Sequence, residues 1–195
     1  LEKENTRVQL AILRNQISPH FFMNTLNNIY ALIDTDTRKS KESVMKLSKL
    51  MRYLLYENSN GKVKLSREFE FIKSYVDLMI IRFDNDIIVN LEIPENYADI
   101  EIPVMIFISY IENAFKFGAS YQQKSFIHVV FEVTDNMLFF TCLNSITRKK
   151  EVNRVGGLGL SNSKQRLDLL FKDRYKLSVR ETEKIFTVEL NIPLT

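Results

Sequence analysis

The sequence has 195 residues, of which 45% are hydrophobic and 26% are charged, a balance that is typical of a globular protein and excludes a disordered one. The net charge of +3 is too small to indicate nucleic acid or an anionic membrane as a partner. A single cysteine, Cys142, excludes a disulfide framework within one chain and fits a reducing compartment. The first residue is Leu1 and a helical pattern starts at once, so we expect a fragment of a longer protein.

The first third of the sequence is predicted to be a helical hairpin. Residues 3–33 show the apolar period of a helix that Pro19 interrupts, and a polar connection at 34–39 leads to a second helix at 40–58. Apolar residues lie on more than one face of the first helix. This favours a second hairpin from another copy of the chain and a dimeric four-helix bundle. The alternative is that these residues pack against the rest of their own chain.

Downstream of a linker signal at 58–61, the pattern becomes a mixture of helices and strands. Ser66 is predicted to cap a helix at 67–83, and Pro103 to lie in the first turn of an apolar helix at 102–117. The other predicted elements are strands at 87–93, 126–133, 137–144, 176–181 and 185–192, and a helix at 158–171. Since helices come first and a mixed block follows, we expect an α+β protein with two domains.

A glycine cluster opens the predicted helix at 158–171, in a sequence with only five glycines. Gly156, Gly157 and Gly159 would let the backbone approach a ligand closely, and the free N–H groups of a helix N-terminus favour an anion such as phosphate. A tight turn whose glycines serve packing is the alternative, because a glycine-rich turn alone is a weak signal.

A polar group ends the otherwise apolar helix predicted at 102–117. Glu112, Asn113 and Lys116 lie within about one helical turn, and Glu112 forms an i,i+4 pair with Lys116. A surface salt bridge would explain that pair, but it would not explain a cluster of acid, amide and base where burial is expected. Oxygen ligands beside a lysine are what a magnesium-bound triphosphate requires, so we expect a nucleotide site here.

His20 is the third chemical feature. Gln16, His20, Asn24 and Asn27 fall within roughly 80° of arc, largely opposite the main apolar face of the first helix. The imidazole is therefore expected to be accessible, and in its neutral form it can act as a nucleophile. Periodicity alone does not give it a function, since most exposed histidines have none. His128, inside a predicted strand, is interpreted as structural.

These features occur in the order found in one family, and the sequence resembles the LytS-like sensor histidine kinases over nearly its whole length. Residues 16–27, QISPHFFMNTLN, are similar to the family's phosphoacceptor segment. Residues 111–118, IENAFKFG, resemble the asparagine box of the GHKL (Bergerat) ATP-binding fold. Residues 157–162, GLGLSN, together with Arg166 and Leu167, resemble its second glycine box.

The resemblance implies domains, a reaction and partners. Residues 1–62 would be dimerisation and phosphoacceptor helices, and 63–195 a GHKL-type ATP-binding catalytic domain, an α/β sandwich with a mixed sheet. His20 would accept the γ-phosphoryl group of ATP and pass it to an aspartate of a response regulator. The chain would be a homodimer without a nucleic-acid partner. It would form the cytoplasmic part of a sensor anchored upstream in the inner or plasma membrane.

The resemblance also implies a set of site residues. Asn113 would hold Mg²⁺, and Glu112 would polarise a water or the attacking group. The nucleotide would be bound by Asn113, Lys116, Asn144, Gly157, Gly159, Asn162 and Arg166. The basic loop at 145–155 would be a lid over the nucleotide, and an ordinary solvated loop is the alternative.

The sequence departs from the family's pattern in three places. Phe117 stands where the family usually has His. Residues 144–146, Asn-Ser-Ile, replace an Asp-Asn-Gly segment that meets adenine, so we expect altered adenine recognition and a less sharply hinged lid. Phe21, not an acid, follows His20, which leaves Glu112 as the candidate general base.

Two other functions fit part of the sequence. A signalling scaffold that binds nucleotide weakly and turns nothing over is favoured by the missing acid and glycine at 144–146. It is opposed by the retained His20, Asn113 and glycine motif. A GHKL module that phosphorylates a protein serine would leave the His20 segment unexplained. The acid lability of any phosphoryl group on the protein separates these functions.

Overall fold

The computed structural model describes residues 19–57, 61–83, 87–120, 124–134, 136–147 and 158–194. The chain divides into two compact units, Leu1–Arg82 and Phe83–Thr195. The predicted boundary at 62/63 differs because the helix that follows the linker packs with the helices before it. Since a division by packing does not test a division by function, the domains at 1–62 and 63–195 stay a prediction.

The described part of the first unit is built from three α-helices, which are α1 (Pro19–Thr35), α2 (Thr37–Arg52) and α3 (Leu65–Ile81). Asp36 is the single residue between α1 and α2. It caps α2, because its carboxylate accepts a hydrogen bond from Lys39 N at 2.9 Å. The polar connection predicted at 34–39 is therefore almost entirely helical, since one capping residue is enough to turn the chain.

A π-helical turn, Tyr53–Glu57, continues α2, and the short strand β1 (Lys62–Lys64) precedes α3. The buried Tyr53 donates its hydroxyl to the carboxylate of Glu68 and stacks on Phe71 at 4.3 Å between ring centroids. The widened turn thus coincides with the residue that ties the end of α2 to α3. A continuous α-helix at 40–58 was the prediction, and tertiary packing changes its last turn.

Helix α3 is buried over much of its surface and joins both other helices. Phe21 of α1 stacks on its Tyr75 at 4.8 Å, and Lys46 of α2 forms a salt bridge with its Asp77 at 2.5 Å. The predicted cap, Ser66, is wrong: α3 begins at Leu65, so Ser66 lies inside the first turn, and the residue at the cap position forms no side-chain capping hydrogen bond. Burial of Leu65, which is fully enclosed, starts the helix earlier than the capping pattern indicates.

Five strands of the second unit form one sheet in the order β2-β4-β5-β7-β6. They are β2 (Ile87–Glu92), β4 (Ser125–Thr134), β5 (Met137–Ser145), β6 (Lys176–Glu181) and β7 (Ile185–Pro193). β2 pairs with β4 in parallel, whereas the other neighbours are antiparallel. The sheet is therefore mixed, and the predicted α+β fold class is confirmed.

The core of the second unit lies between this sheet and helix α4 (Ile108–Gly118). Burial alternates along β5, so that Phe140 and Cys142 face the helix and the residues between them face away. The ring of Phe107, just before α4, lies 5.1 Å from Phe131 and 5.0 Å from Phe140. The helix that carries the predicted polar cluster thus rests on closely packed aromatic rings.

The start of α4 corrects the predicted helix at 102–117. Pro103 ends a short strand, β3 (Glu101–Pro103), and the four buried residues 104–107 form a turn in which Met105 has a φ of 55°. A short apolar run cannot distinguish a buried turn from a buried helix. The pattern therefore predicted the burial of residues 104–107 correctly and their helical conformation wrongly.

The last helix, α5 (Leu158–Phe171), has the predicted bounds. It begins at the glycine cluster, which is the signal that predicts its start. Across the ranges that the structure describes, none of the helices combines the length and apolarity that a membrane crossing requires.

Candidate functional site

The polar cluster of α4 lies on the least buried side of the helix. Ile111 and Phe115 are buried, whereas Glu112 and Asn113 are partly buried and Lys116 is exposed. Burial raises the pKa of the Glu112 carboxyl above its ordinary value, and the positive charge of Lys116, one turn on, offsets part of that rise. The cluster therefore presents an acid with increased proton affinity beside an amide and an ammonium group.

The first turn of α5 lies against Asn113. A Cβ atom at Gly159 would lie 3.8 Å from Asn113 Nδ2 and 4.0 Å from Oδ1, which is ordinary van der Waals contact. The fold thus joins the predicted asparagine box to the predicted glycine motif. We call Glu112, Asn113, Lys116 and Gly159 the α4–α5 site. Residues 148–157 lie outside the described residues, and they include Gly157 and most of the lid predicted at 145–155.

Arg166 of α5 fixes the turn that precedes α4. Its Nη1 donates to the carbonyl oxygen of Met105 at 2.9 Å, and its Nη2 donates to that of Val104. Sequence reasoning missed this contact, because it predicted a helix at 104–107, in which those carbonyls would be bonded internally. The predicted contact of Arg166 with nucleotide stays a prediction, as does that of the exposed Asn162.

Asn144 lies at the end of the inward-facing row of β5. Its side chain is 2% exposed, and its Nδ2 donates to the carbonyl oxygen of Ser145 at 2.8 Å. Asn144 packs so closely on α4 that a Cβ atom added at Gly118 would lie 2.6 Å from the Cβ atom of Asn144. Gly118 is therefore required by close packing, a structural need that its place in the asparagine-box pattern did not reveal. The adenine contact predicted for Asn144 stays a prediction.

His20 lies in the first turn of α1 and is exposed, as predicted. The amide Nδ2 of Asn24, one turn later, lies 3.1 Å from His20 Nδ1 and 3.3 Å from Nε2. The next residue, Phe21, points inward and stacks on Tyr75. The first turn of α1 is thus anchored through Phe21 while the imidazole of His20 stays accessible beside an amide. Gln16 lies outside the described residues.

The apolar face predicted for α1 is mostly uncovered. Ile29 is buried, but Leu26 and Ile33 are exposed, together with the neighbouring Met23 and Tyr30. Helix α2 and the turn after it carry an apolar groove of their own, lined by Val44, Leu47, Ser48, Met51, Arg52 and Leu55. Spacings of three and four residues between these exposed side chains of α1 match a helix-bundle seam, which the described residues leave uncovered.

The α4–α5 site has the donors that a magnesium–nucleotide complex requires. In the described ranges no three His, Cys, Asp or Glu side chains are placed to hold a metal ion. Mg²⁺ that binds with a nucleotide takes few protein ligands, because phosphates and waters supply the others. The amide oxygen of Asn113 beside Gly159, with Lys116 one turn away, therefore fits such a complex.

Comparison with known proteins gives matches over nearly the whole chain. A family model described as histidine kinase matches residues 8–87. The sensor protein LytS of Oceanobacillus iheyensis is 29% identical over 98% of this chain, and the sensor histidine kinase BtsS of Escherichia coli is 28% identical over 96%. This chain spans only 36% and 34% of the length of these two relatives.

A solved structure shares the fold. The histidine kinase domain of the blue-light activated histidine kinase from Erythrobacter litoralis EL346 matches with a TM-score of 0.51. The match covers 95% of this chain and 93% of that one, at 16% sequence identity. A likeness at this identity supports the arrangement of helices and sheet, and the roles of individual residues are argued from their own contacts.

Proposed function

We propose that this chain, which matches a histidine kinase family model over residues 8–87 and is similar to the sensor proteins LytS and BtsS, is a LytS-like sensor histidine kinase that binds Mg–ATP at the α4–α5 site and phosphorylates His20. The observation that carries the proposal is the contact between Asn113 and Gly159, which lie in different motifs and in different helices. An amide ligand that lies beside a helix N-terminus is suited to a metal-bound phosphate, because the amide oxygen can bind the metal and the helix N–H groups can bind the phosphate.

Each residue of the α4–α5 site has its own role in the proposed binding of Mg–ATP. Asn113 would hold Mg²⁺, which neutralises charge on the phosphate oxygens when it is bound. Lys116 would contact a phosphate as a point charge, and the N–H groups at the start of α5 would bind phosphate oxygens. Gly157, Asn162 and Arg166 are proposed at the phosphate side and Asn144 at the base.

The reaction requires an accessible imidazole, and the exposure of His20 supports this. One ring nitrogen of His20 forms a bond to the γ-phosphorus while the bond from that phosphorus to the β,γ-bridging oxygen breaks, and ADP leaves. The proton on the other ring nitrogen then passes to a base. Glu112 is the proposed base, because a carboxyl whose pKa is raised by burial binds a proton more readily.

Two further steps belong to the whole protein. We propose that phosphorylated His20 passes its phosphoryl group to an aspartate of a response regulator, and that two chains pair through the exposed seam of α1 and α2. The relatives are sensor proteins about three times as long as this chain, so we propose that it is the cytoplasmic part of a membrane-anchored sensor.

A labelling experiment tests the proposal. The chain is incubated with ATP labelled at the γ-phosphate and with Mg²⁺, and the bound label is then exposed to acid. We expect a label that acid removes, that is lost in His20→Gln, and that falls at least tenfold in Asn113→Ala. In His20→Gln, ATP affinity should stay within about twofold.

Other outcomes of the labelling identify the alternatives. An acid-stable label would indicate a serine kinase, and ATP binding without any label would indicate a scaffold. A label that persists in His20→Gln would remove His20 as the acceptor.

A further inference from the structure

The C-terminal end of α4 is held by two hydroxyl side chains that the sequence motifs do not include. The hydroxyl of Ser145 donates to the carbonyl oxygen of Gly118 at 3.1 Å, and that of Thr147 donates to the carbonyl oxygen of Phe117 at 3.0 Å. The last four carbonyls of a helix have no partner within the helix. Ser145 and Thr147 therefore supply a cap from a different element.

The same residues attach the helix end to the sheet. The hydroxyl oxygen of Ser145 accepts a hydrogen bond from the backbone N–H of Phe126 on β4 at 3.1 Å, so it bridges strand and helix. The backbone N–H of Ile146 donates to the carbonyl oxygen of Lys184 at 2.8 Å. The segment 145–147 is thus bonded on one side to α4 and on the other to the sheet and to the turn before β7.

Helix α4 depends on this outside cap because its own sequence supplies no glycine cap. The residue that follows it, Ala119, is extended (φ −82°, ψ 139°) and donates its N–H to the carbonyl oxygen of Phe115 at 3.3 Å. A left-handed glycine after the helix, which commonly satisfies these carbonyls, is absent at this position. The hydroxyls of Ser145 and Thr147 take its place, together with the backbone N–H of Thr147, which donates to the carbonyl oxygen of Phe117 at 3.4 Å.

We propose that Ser145 and Thr147 are positioning residues for the α4–α5 site, an inference that rests on the proposed nucleotide function of that site. Thr147 acts on Asn113 through one helical turn. It bonds the carbonyl of Phe117, whose N–H donates to the carbonyl of Asn113 in the regular α-helical pattern. The cap thereby holds the magnesium ligand at its distance from Gly159.

This arrangement gives a physical meaning to the departure at 144–146. A segment that ends in glycine would serve as a hinge, whereas Ser145 and Thr147 fasten the same stretch to the end of α4. In this chain the segment therefore holds α4, the helix that carries Asn113, and does not act as a hinge. Binding of Mg–ATP should therefore depend on two hydroxyl groups that need not touch the nucleotide.

Thr147→Val tests the inference because valine keeps the shape of threonine and removes only the hydroxyl. Thr147→Ser keeps the hydroxyl, and Thr141→Val is the matched control on β5, where the side chain faces away from α4. Loss of one hydrogen bond that positions a ligand corresponds to about a fivefold change in affinity. By calorimetry, Thr147→Val should weaken Mg–ATP binding about fivefold, and both other variants should stay within about twofold.

Amide hydrogen exchange supplies a readout that is independent of activity. Exchange at 117–119 should accelerate in Thr147→Val and be restored in Thr147→Ser. If Thr147→Val fails to fold, Ser145→Ala takes its place with the same expected loss, because it removes the second hydroxyl of the same cap.

The outcomes separate this inference from the proposed function. Wild-type protein that does not bind Mg–ATP would overturn the proposed function, and the inference with it. Wild-type protein that binds Mg–ATP while Thr147→Val binds equally well would overturn the positioning role alone. A loss in Thr147→Ser as large as that in Thr147→Val would also overturn it, because the hydroxyl would not be the cause.

Discussion

Helices α1 and α4 carry the two chemical centres of the proposed reaction, and their own chain packs them to different degrees. On α4, Ile111 and Phe115 are enclosed by the core and only the polar cluster faces outward. On α1, Leu26 is 51% exposed and Tyr30 is 76% exposed, although both lie within about three helical turns of His20. Helix α4 is packed by the core of its own unit, whereas in the described part of the chain α1 leaves large apolar side chains exposed.

The magnitude of burial explains why this difference matters. Covering one large apolar side chain stabilises a protein by about 1.5–3 kcal/mol, so four such residues on α1 and an apolar groove on α2 are a substantial unused contribution. Large exposed apolar patches mark interaction surfaces in soluble proteins. The proposed four-helix bundle from two chains would cover both helices with one symmetric interface.

The largest expected effect is loss of the dimer. Leu26→Glu places a charge in the proposed seam, and burying an unpaired carboxylate costs several kcal/mol. By light scattering at micromolar concentration, the wild-type chain should have twice the mass of 22.9 kDa, and Leu26→Glu should have the single mass. Leu169→Glu is the control, since Leu169 is 72% exposed on α5 in the second unit, and it should leave the dimer intact.

Two results would contradict the dimer. A wild-type monomer would mean that the exposed seam of α1 is not self-complementary. Dissociation by Leu169→Glu would show that the dimer interface lies on the second unit. The exposed apolar side chains of α1 would then not explain dimerisation.

Two glycines of the second unit sharpen the same comparison, because one serves the site and the other serves packing. A methyl group at Gly159 meets Asn113 at ordinary contact distance, so Gly159→Ala should leave the thermal midpoint unchanged or slightly raised. It should weaken Mg–ATP binding at least tenfold, since the methyl occupies the approach of a phosphate. At Gly118 the methyl would overlap Asn144, so Gly118→Ala should destabilise the fold by about 1–3 kcal/mol.

Thermal unfolding and calorimetry on both glycine variants check this pair of expectations. If Gly159→Ala binds Mg–ATP as wild type does, the start of α5 does not approach the phosphates. If Gly118→Ala is as stable as wild type, the contact with Asn144 is looser than the structure has it.

The raised pKa of Glu112 predicts a pH-dependent effect of intermediate size. A carboxyl whose folded-state pKa is raised contributes stability at low pH, and this contribution is lost as pH rises through the folded pKa. Glu112→Gln removes the ionisation, so it should match wild type near pH 4 and become more stable than wild type toward pH 7. Lys116→Met should enlarge the difference, since it removes the charge that offsets part of the shift.

Urea unfolding of the three proteins at both pH values tests the Glu112 prediction. Equal stabilities of wild type and Glu112→Gln at pH 7 would show that burial of the carboxyl has no net cost. If Glu112 is also the base, Glu112→Gln should reduce labelling of His20 although it stabilises the fold.

Patterns with a single physical explanation could be predicted from the sequence. The alternation in β4 and β5 requires a half-buried sheet, and the start of α5 was predicted because the glycine cluster marks it. His20 was expected to be exposed because polar residues share its helical face. The two motifs of the α4–α5 site could be named before their contact was known, since each has its own chemical pattern.

Contacts between distant segments could not be predicted in this way. The bonds from Arg166 to the turn before α4 depend on a positive φ at Met105, which no residue preference indicates. The cap by Ser145 and Thr147 depends on where a strand ends relative to a helix end. In each case a side chain bonds backbone groups of another element. The sequence around the side chain and the sequence around those backbone groups therefore give no indication that the two meet.

The smallest expected effect concerns Asn144, which stands where the family usually has an aspartate. A carboxylate only accepts hydrogen bonds, so it suits the amine of adenine and repels the carbonyl of guanine, whereas an asparagine can also donate. Asn144→Asp should therefore favour ATP over GTP. The structure adds an opposing cost, because Nδ2 now donates to the carbonyl of Ser145 and an aspartate loses that bond. The substitution should lower the free energy of unfolding by about 0.5–1.5 kcal/mol.

The ratio of the two nucleotide affinities separates these effects. Loss of the bond to Ser145 disturbs the pocket equally for ATP and GTP, so it cancels in the ratio, whereas the preference of a carboxylate for adenine does not. A charged acceptor is worth about 1 kcal/mol more than a neutral one, which corresponds to roughly fivefold. Calorimetry with both nucleotides should show the ATP-to-GTP preference about fivefold larger in Asn144→Asp than in wild type. An unchanged ratio, whatever the absolute affinities, would mean that this buried side chain serves Gly118 and Ser145 and does not face the base.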